Sequence, residues 1–306
     1  MNVTYQGDLI LAPIAGFSDC GMRSLSFRYG AGLCFTEMVS AKGLFYKNEN
    51  TAELLKVGKD EKQTGVQIFG SDPGIMGEVV RYDCMKDFPV IDINCGCPVP
   101  KVYKNGDGSA LMKDPLTVEK IVRSVKENAE GRLVTVKIRK GVEGRNNAVE
   151  VALAAQQGGA NMVTVHGRTR EQMYSGTTDY DCIAEVKSRL SVPVCGNGDV
   201  TDRESYLKMK ETGVDYVMIA RGAIGRPYVF AEVRGEEPEY SVAALIKEHI
   251  KYIDFLPERI IVGTMKKQIA SYVKGLRGQK KIKEEIFKCE KIEQMLSLID
   301  LIDEKW

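Results

Sequence analysis

The chain has 306 residues, with 43 Lys and Arg against 42 Asp and Glu, for a net charge of +1. That length suits one barrel-sized unit with a small appendage better than two equal halves. The balanced charge excludes a globally basic nucleic-acid binder, so any surface for an acidic partner must be a local patch.

Eight short, largely apolar runs follow one another along the chain. They are Leu9–Ala12, Leu33–Glu37, Thr64–Phe69, Val90–Asn94, Val134–Ile138, Met162–His166, Val192–Gly196 and Tyr216–Ala220. Most are nearly continuous in apolar character, as expected of parallel strands covered on both faces. Helical periodicity separates them, for example over Pro115–Asn128, Asn147–Gly158, Asp181–Leu190 and Asp202–Gly213. This alternation predicts an α/β fold, a (β/α)8 TIM barrel. An open doubly wound sheet would carry the same pattern. The barrel is expected over residues 1–235. Gly235-Glu236-Glu237-Pro238-Glu239 then breaks the pattern, and only helical periodicity follows Ser241. Ile292, Met295, Ile299 and Ile302 fall on one helical face. A small helical domain is expected over 236–306.

The eight cysteines show no C-x-x-C spacing, and neither His166 nor His249 completes a zinc pattern, so no metal is expected. No apolar run approaches the roughly 20 residues that span a bilayer. Met1 to Leu11 lacks the layout of a signal peptide. A reduced, soluble, cytoplasmic protein with no membrane partner is expected, and a monomer.

Polar or glycine-rich residues cluster after nearly every predicted strand. In a barrel these ends converge on one face, where active sites sit. Asp92-Ile93-Asn94-Cys95-Gly96-Cys97-Pro98 is the most informative cluster. Gly96 permits a tight turn and Pro98 biases Cys97 away from helix, so Cys97 is held on a short loop past a strand. A thiol placed this way suits proton or nucleophile chemistry, although a free Cys is also a common buried hydrophobe. Asn197-Gly198-Asp199 and Arg221-Gly222 follow the last two strands, where barrels often bind a phosphate. Such a phosphate points to a flavin mononucleotide or a phosphosugar. Alternation puts Thr135, Lys137 and Arg139 on one side of their strand. Lys137 inside a barrel requires an anion or a polar ring to meet it. His166 closes another strand, as a general acid, a hydrogen-bond donor or a structural group.

Arg259, Lys266, Lys267, Lys274, Arg277, Lys280, Lys281 and Lys283 form a basic stretch, and residues 260–283 contain no Asp or Glu. This is the pattern of a phosphate-backbone surface, and also of a solvated helix face. These residues lie far in sequence from the strand-end motifs, so they are expected to act apart from the chemistry.

The combined motifs resemble those of the tRNA-dihydrouridine synthases. The resemblance is carried by Leu11-Ala12-Pro13-Ile14-Ala15-Gly16-Phe17-Ser18-Asp19, Thr36-Glu37-Met38, Val66-Gln67-Ile68-Phe69-Gly70 and the Asn94-to-Pro98 loop. Val136-Lys137-Ile138-Arg139, His166-Gly167-Arg168-Thr169, Asn197-Gly198-Asp199 and Ala220-Arg221-Gly222 complete it. Ile14 stands where many members have Met, and Cys95 beside Cys97 is unusual. The C-terminal part is similar in being helical and basic. The resemblance implies an FMN-dependent enzyme that reduces the C5–C6 double bond of uridine in tRNA, with NADPH or NADH as reductant. It implies that Ile14, Ala15, Gly16, Gln67, Lys137, Asn197, Gly198, Asp199, Ala220 and Arg221 hold FMN. Cys97 would be the proton donor. Asn94, Arg139 and His166 would face the uracil, and Lys266, Lys267 and Lys274 the tRNA. A flavin-dependent oxidoreductase of free pyrimidines and a non-catalytic RNA-binding protein are the alternatives. Neither accounts as well for both the basic tail and the Cys97, Lys137 and His166 set.

Overall fold

The computed structural model describes residues 7–48, 51, 53–59, 61 and 63–302. Eight parallel strands close into a barrel in sequential order. They are β1 Leu9–Leu11, β2 Leu33–Ser40, β3 Thr64–Phe69, β4 Val90–Cys95, β5 Leu133–Gly141, β6 Met162–Thr169, β7 Val194–Asn197 and β8 Tyr216–Ile219. β1 pairs with both β2 and β8, which rules out the open sheet.

The sequence pattern locates every strand, but β2, β5 and β6 run further than their apolar cores. The residues at their ends remain in the ladder: Met38 aligns with Gln67, Arg139 with His166, and Gly141 with Thr169. A residue can face a pocket and still pair through its backbone. β7 starts at Val194 rather than Val192, just after Pro193, which has no N–H to donate. The predicted helix over Pro115–Asn128 is observed with those bounds, capped by the Asp114 side chain on the Thr117 N–H. Asn147 and Gly158 prove to be the caps of the helix Ala148–Gln157.

The barrel lumen holds a small apolar cluster that includes Ile10, Leu33, Phe35, Val90, Met162 and Met218. A larger core between strands and helices includes Val134, Val136 and Ile138. Their alternates Thr135, Lys137 and Arg139 face inward, as the strand period requires. Apolar packing thus fills one end of the barrel, and polar side chains crown the other.

After Gly235 the chain forms the helices Val242–Tyr252, Glu258–Tyr272, Gln279–Lys288 and Ile292–Ile299. Met295, Ile299 and Ile302 are buried with Ile246, Ile250, Met265 and Ile269. The same cluster takes in Cys20 and Leu25 from the first barrel helix, Cys20–Arg28. The helical segment therefore shares its core with the barrel. Among the described residues, no helix is long and apolar enough to cross a membrane.

Candidate active site

A cavity of about 480 Å³ opens at the C-terminal ends of the strands. It is lined by Ile14, Ala15, Gln67, Asn94, Cys97, Lys137, Arg139, His166, Asn197, Gly198, Asp199, Ala220 and Arg221. Residues spread over two hundred positions meet because parallel strands place all their C-terminal ends on one face. Lys274 from the helical segment joins the same wall. This corrects the expectation that the basic stretch stands apart from the strand-end motifs: the chain after the helix Glu258–Tyr272 turns back onto the barrel mouth.

Gly16 is not among the lining residues. Its N–H donates to Glu37 Oε2 at 2.6 Å, and it borders an adjacent groove with Arg259 and Lys267. Lys266 is half-buried and lies near Cys289.

The Cys97 loop is held from several directions. Asn94 Oδ1 accepts from the Gly96 and Cys97 N–H groups at 3.1 and 2.9 Å. The Gly96 carbonyl accepts from Arg139 Nε at 2.8 Å. The Cys97 carbonyl accepts from the Ser109 N–H and hydroxyl at 3.1 and 2.8 Å. The turn is thus set by the Asn94 side chain. Gly96 has no positive φ, and a Cβ there would meet Ile138 and Arg139 atoms only at ordinary distances of 3.4–3.5 Å. Burial pushes the Cys97 thiol above its ordinary value, against the opposing effects of the Val99 N–H, Arg139 and Lys137. At neutral pH the sulfur keeps its proton. Cys95 has 0% exposure and packs in the strand–helix core.

Lys137 Nζ donates to Asn197 Oδ1 at 3.0 Å, and Asn197 Nδ2 donates to the Met218 carbonyl at 2.8 Å. Burial, then Arg139, pushes Lys137 down to about 8, while Asp92 works in the opposite direction. Arg139 Nε and Nη1 serve three backbone carbonyls, those of Gly96, Thr169 and Met173. His166 is pushed down to about 2 by burial and by the cations Lys137, Arg139, Arg168 and Arg221. It is a neutral imidazole. Arg168 Nη1 lies 3.5 Å from its Nε2, and a guanidinium can only donate.

Asp199 adopts a left-handed φ of 55° and acts as a hub. Its Oδ2 accepts from Arg168 Nη2 at 2.6 Å and from the Thr178 N–H at 3.1 Å, and its Oδ1 accepts from Arg221 Nη2 at 3.2 Å. The neighbouring glycines serve this packing. A Cβ at Gly198, where φ is 133°, would come within 2.2 Å of Thr178 Oγ1. One at Gly222 would come within 2.3 Å of the Val200 carbonyl.

Tyr174 also lines the cavity and escaped the strand-end reading. It is 54% exposed, with Arg221 at 4.8 Å and Arg139 at 5.9 Å from its ring centroid. One signal was available: a lone aromatic in the polar stretch Arg168–Thr178 just after a strand.

The geometry agrees with comparisons to known proteins. The dihydrouridine synthase family model matches residues 10–305. tRNA-dihydrouridine synthase B of Vibrio parahaemolyticus is 35% identical over 285 residues, covering 89% of this chain and 88% of that protein. The protein of the same name from Pseudomonas aeruginosa is 36% identical over 293 residues, covering 92% and 88%. Among solved structures, TcOYE with pHBA aligns at a TM-score of 0.57 and 12% identity, over 78% of this chain and 92% of that one, a likeness of fold alone. With the family model spanning nearly the whole chain, and the motif residues gathered in one cavity, this chain belongs to the dihydrouridine synthase family.

Proposed function

We propose that this chain is a tRNA-dihydrouridine synthase that binds FMN, takes electrons from NADPH and reduces uridine C5–C6 with Cys97 as proton donor. The observation that carries the assignment of residues is the meeting of Cys97, Asn94, Lys137 and His166 in one cavity. Its volume of about 480 Å³ lies in the range of small-molecule sites.

The residues present fit a flavin mononucleotide. Lys137 supplies a cation, and its hydrogen-bond partner Asn197 is neutral, so the ammonium is not neutralised by it. Arg221 stands half-exposed at the mouth beside the Asn197–Asp199 and Ala220–Gly222 turns, which suits a phosphate. Asp199 contributes by holding Arg221 and the Thr178 loop in place. When bound, the flavin supplies a hydride for uracil C6.

The protein does the rest. The Cys97 thiol, protonated at neutral pH, delivers its proton to C5 and regains one from solvent. Lys137 balances negative charge on the reduced cofactor. Arg139 has Nη2 left beyond its three carbonyl bonds, suited to a uracil oxygen. His166, neutral, contributes a hydrogen bond rather than a mobile proton. A base within folded RNA must be flipped out to reach this cavity. Residues 236–306 act as a tRNA-binding domain, with Lys267 and Lys274 on the side facing the barrel mouth.

The test is direct. Purified protein should retain FMN, be bleached by NADPH, and be recoloured by tRNA lacking dihydrouridine but not by free uridine or dihydroorotate. Recolouring by a free pyrimidine, with no response to tRNA, would replace this reading with that of a small-molecule oxidoreductase.

A further inference from the structure

The mechanism above leaves the buried Asp92 carboxyl unused. Asp92 lies inside β4 with 0% exposure. Its Oδ1 accepts from Thr135 Oγ1 and its Oδ2 from Gln67 Nε2, both at 2.6 Å. Gln67 Oε1 in turn accepts from Asn94 Nδ2 at 2.8 Å. Asn94 Oδ1 then accepts from the Gly96 and Cys97 N–H groups. These bonds form one directed chain from the barrel interior to the Cys97 loop.

We infer that Gln67 and Asn94 are positioning residues, an amide relay oriented by the Gly96 and Cys97 N–H groups at one end and accepted by the buried Asp92 at the other, that fixes the seat of the Cys97 loop. The relay runs between an end that can only accept and an end that can only donate. An ionised carboxylate has no hydrogen to give, and backbone N–H groups have no lone pair to offer. Two amides between such ends satisfy every bond in one orientation. Turning them over would set oxygen against oxygen at Asp92 and hydrogen against hydrogen at the loop. A buried polar group left unpaired is costly, so the relay has one state. Both Asp92 oxygens accept, one from Thr135 and one from Gln67, which is the bonding pattern of a carboxylate, although burial raises the group to about 6. The value of the relay for proton delivery rests on the reading of Cys97 as the donor. The relay itself does not.

The test reverses the polarity of the relay. Asn94→Asp keeps acceptors on the loop N–H groups but sets a carboxylate oxygen against Gln67 Oε1. Gln67 can turn, but its oxygen then meets Asp92. Adding Asp92→Asn supplies an amide hydrogen at that point, and every bond is made again in the opposite sense. Asp92→Asn alone is also satisfied, because the Thr135 hydroxyl can accept as well as donate. The readouts are the alkylation rate of Cys97 by iodoacetamide in the flavin-loaded enzyme, resolved by peptide mass, and the Tm.

Asn94→Asp should speed alkylation on the order of tenfold and lower Tm by about 2–6 °C, the scale of one unpaired buried polar group in a chain of this length. Asp92→Asn alone, and the double variant, should both lie close to wild type. An Asn94→Asp protein that behaves as wild type, a double variant as labile as Asn94→Asp, or an Asp92→Asn variant equally labile would each overturn the inference. If Asn94→Asp does not fold, recovery of folded protein in the double variant is the readout, and its failure counts against the relay. No turnover is measured, so an active Cys97→Ala enzyme would refute the proton-donor reading and leave the relay standing.

Discussion

His249 Nε2 lies 2.8 Å from Asp19 Oδ1, although 230 residues separate the two. Asp19 is the N-cap of the first barrel helix, with its Oδ1 also accepting from the Met22 N–H at 3.0 Å. Gln268 Nε2 donates to Asp19 Oδ2 at 2.6 Å and to the Phe17 carbonyl at 2.9 Å. Tyr272 OH completes the group, 2.9 Å from His249 Nδ1. Two helices of the C-terminal segment thus grip the loop that carries Ile14 and Ala15 into the cavity.

This grip predicts an acid-sensitive junction. Burial raises the Asp19 carboxyl, but His249, the Met22 N–H and Gln268 together hold it below its ordinary 3.8. A depressed carboxyl stabilises the fold fully above 3.8, and that contribution is lost as the pH falls below it. Asp19→Asn should flatten the acid limb of a Tm-against-pH curve. His249→Ala should lower Tm at pH 7 by about 3–6 °C, because it removes one hydrogen bond from a carboxylate left with the Met22 N–H and Gln268. An unchanged acid limb in Asp19→Asn would show that other carboxylates govern acid unfolding.

The two neighbouring cysteines should separate cleanly. Cys97→Ala should retain flavin colour and tRNA affinity but lose roughly 10²–10⁴-fold in turnover, the usual weight of a positioned acid. Cys95→Ala should keep turnover and lose stability, because its side chain is packed in the core. Single-turnover recolouring by tRNA, beside thermal melts of both variants, makes the comparison.

Turnover should show no titration of His166 between pH 5 and 8, since burial and four cations hold it near 2. His166→Asn should therefore change the height of the pH–rate profile and leave its shape. An acid limb near 6.5, the ordinary histidine value, that disappears in His166→Asn would show that the imidazole is protonated in the working enzyme.

The lysines should divide by place. Lys274 lines the cavity, whereas Lys280 and Lys281 are exposed on the next helix. Lys280→Gln with Lys281→Gln should raise the KM for tRNA and reduce the log–log salt slope by roughly 0.7–0.9 per lost phosphate contact, with flavin bleaching by NADPH unchanged. Lys274→Gln should alter both steps. A Lys274→Gln enzyme with wild-type bleaching would place this side chain on the RNA side alone.

The barrel was legible because parallel strands buried on both faces write themselves as apolar runs, and because polar residues collected at their ends. Lys137, Asn197 and Cys97 could be found that way. Tyr174 could not, since its loop is shaped by Arg168 and Asp199, whose carboxylate comes from the following strand end. Nor could the His249–Asp19 contact, which no local pattern encodes. The Gly96 turn was visible, but its cause was misplaced: the Asn94 side chain supplies the bonds that shape it. Sequence pattern reports which residues share a face. It does not report which hydrogen-bond partner a given amide will choose.

The place of Lys274 has a consequence for engineering. A hybrid that joins this barrel to the tail of a relative would exchange a side chain of the cavity as well as the tail's own surface, because Lys274 lines that cavity. The tail cannot be treated as a detachable adaptor. Any graft must carry a matching cation at that position and preserve the His249 and Gln268 contacts to Asp19 and Phe17 that hold the tail against the barrel.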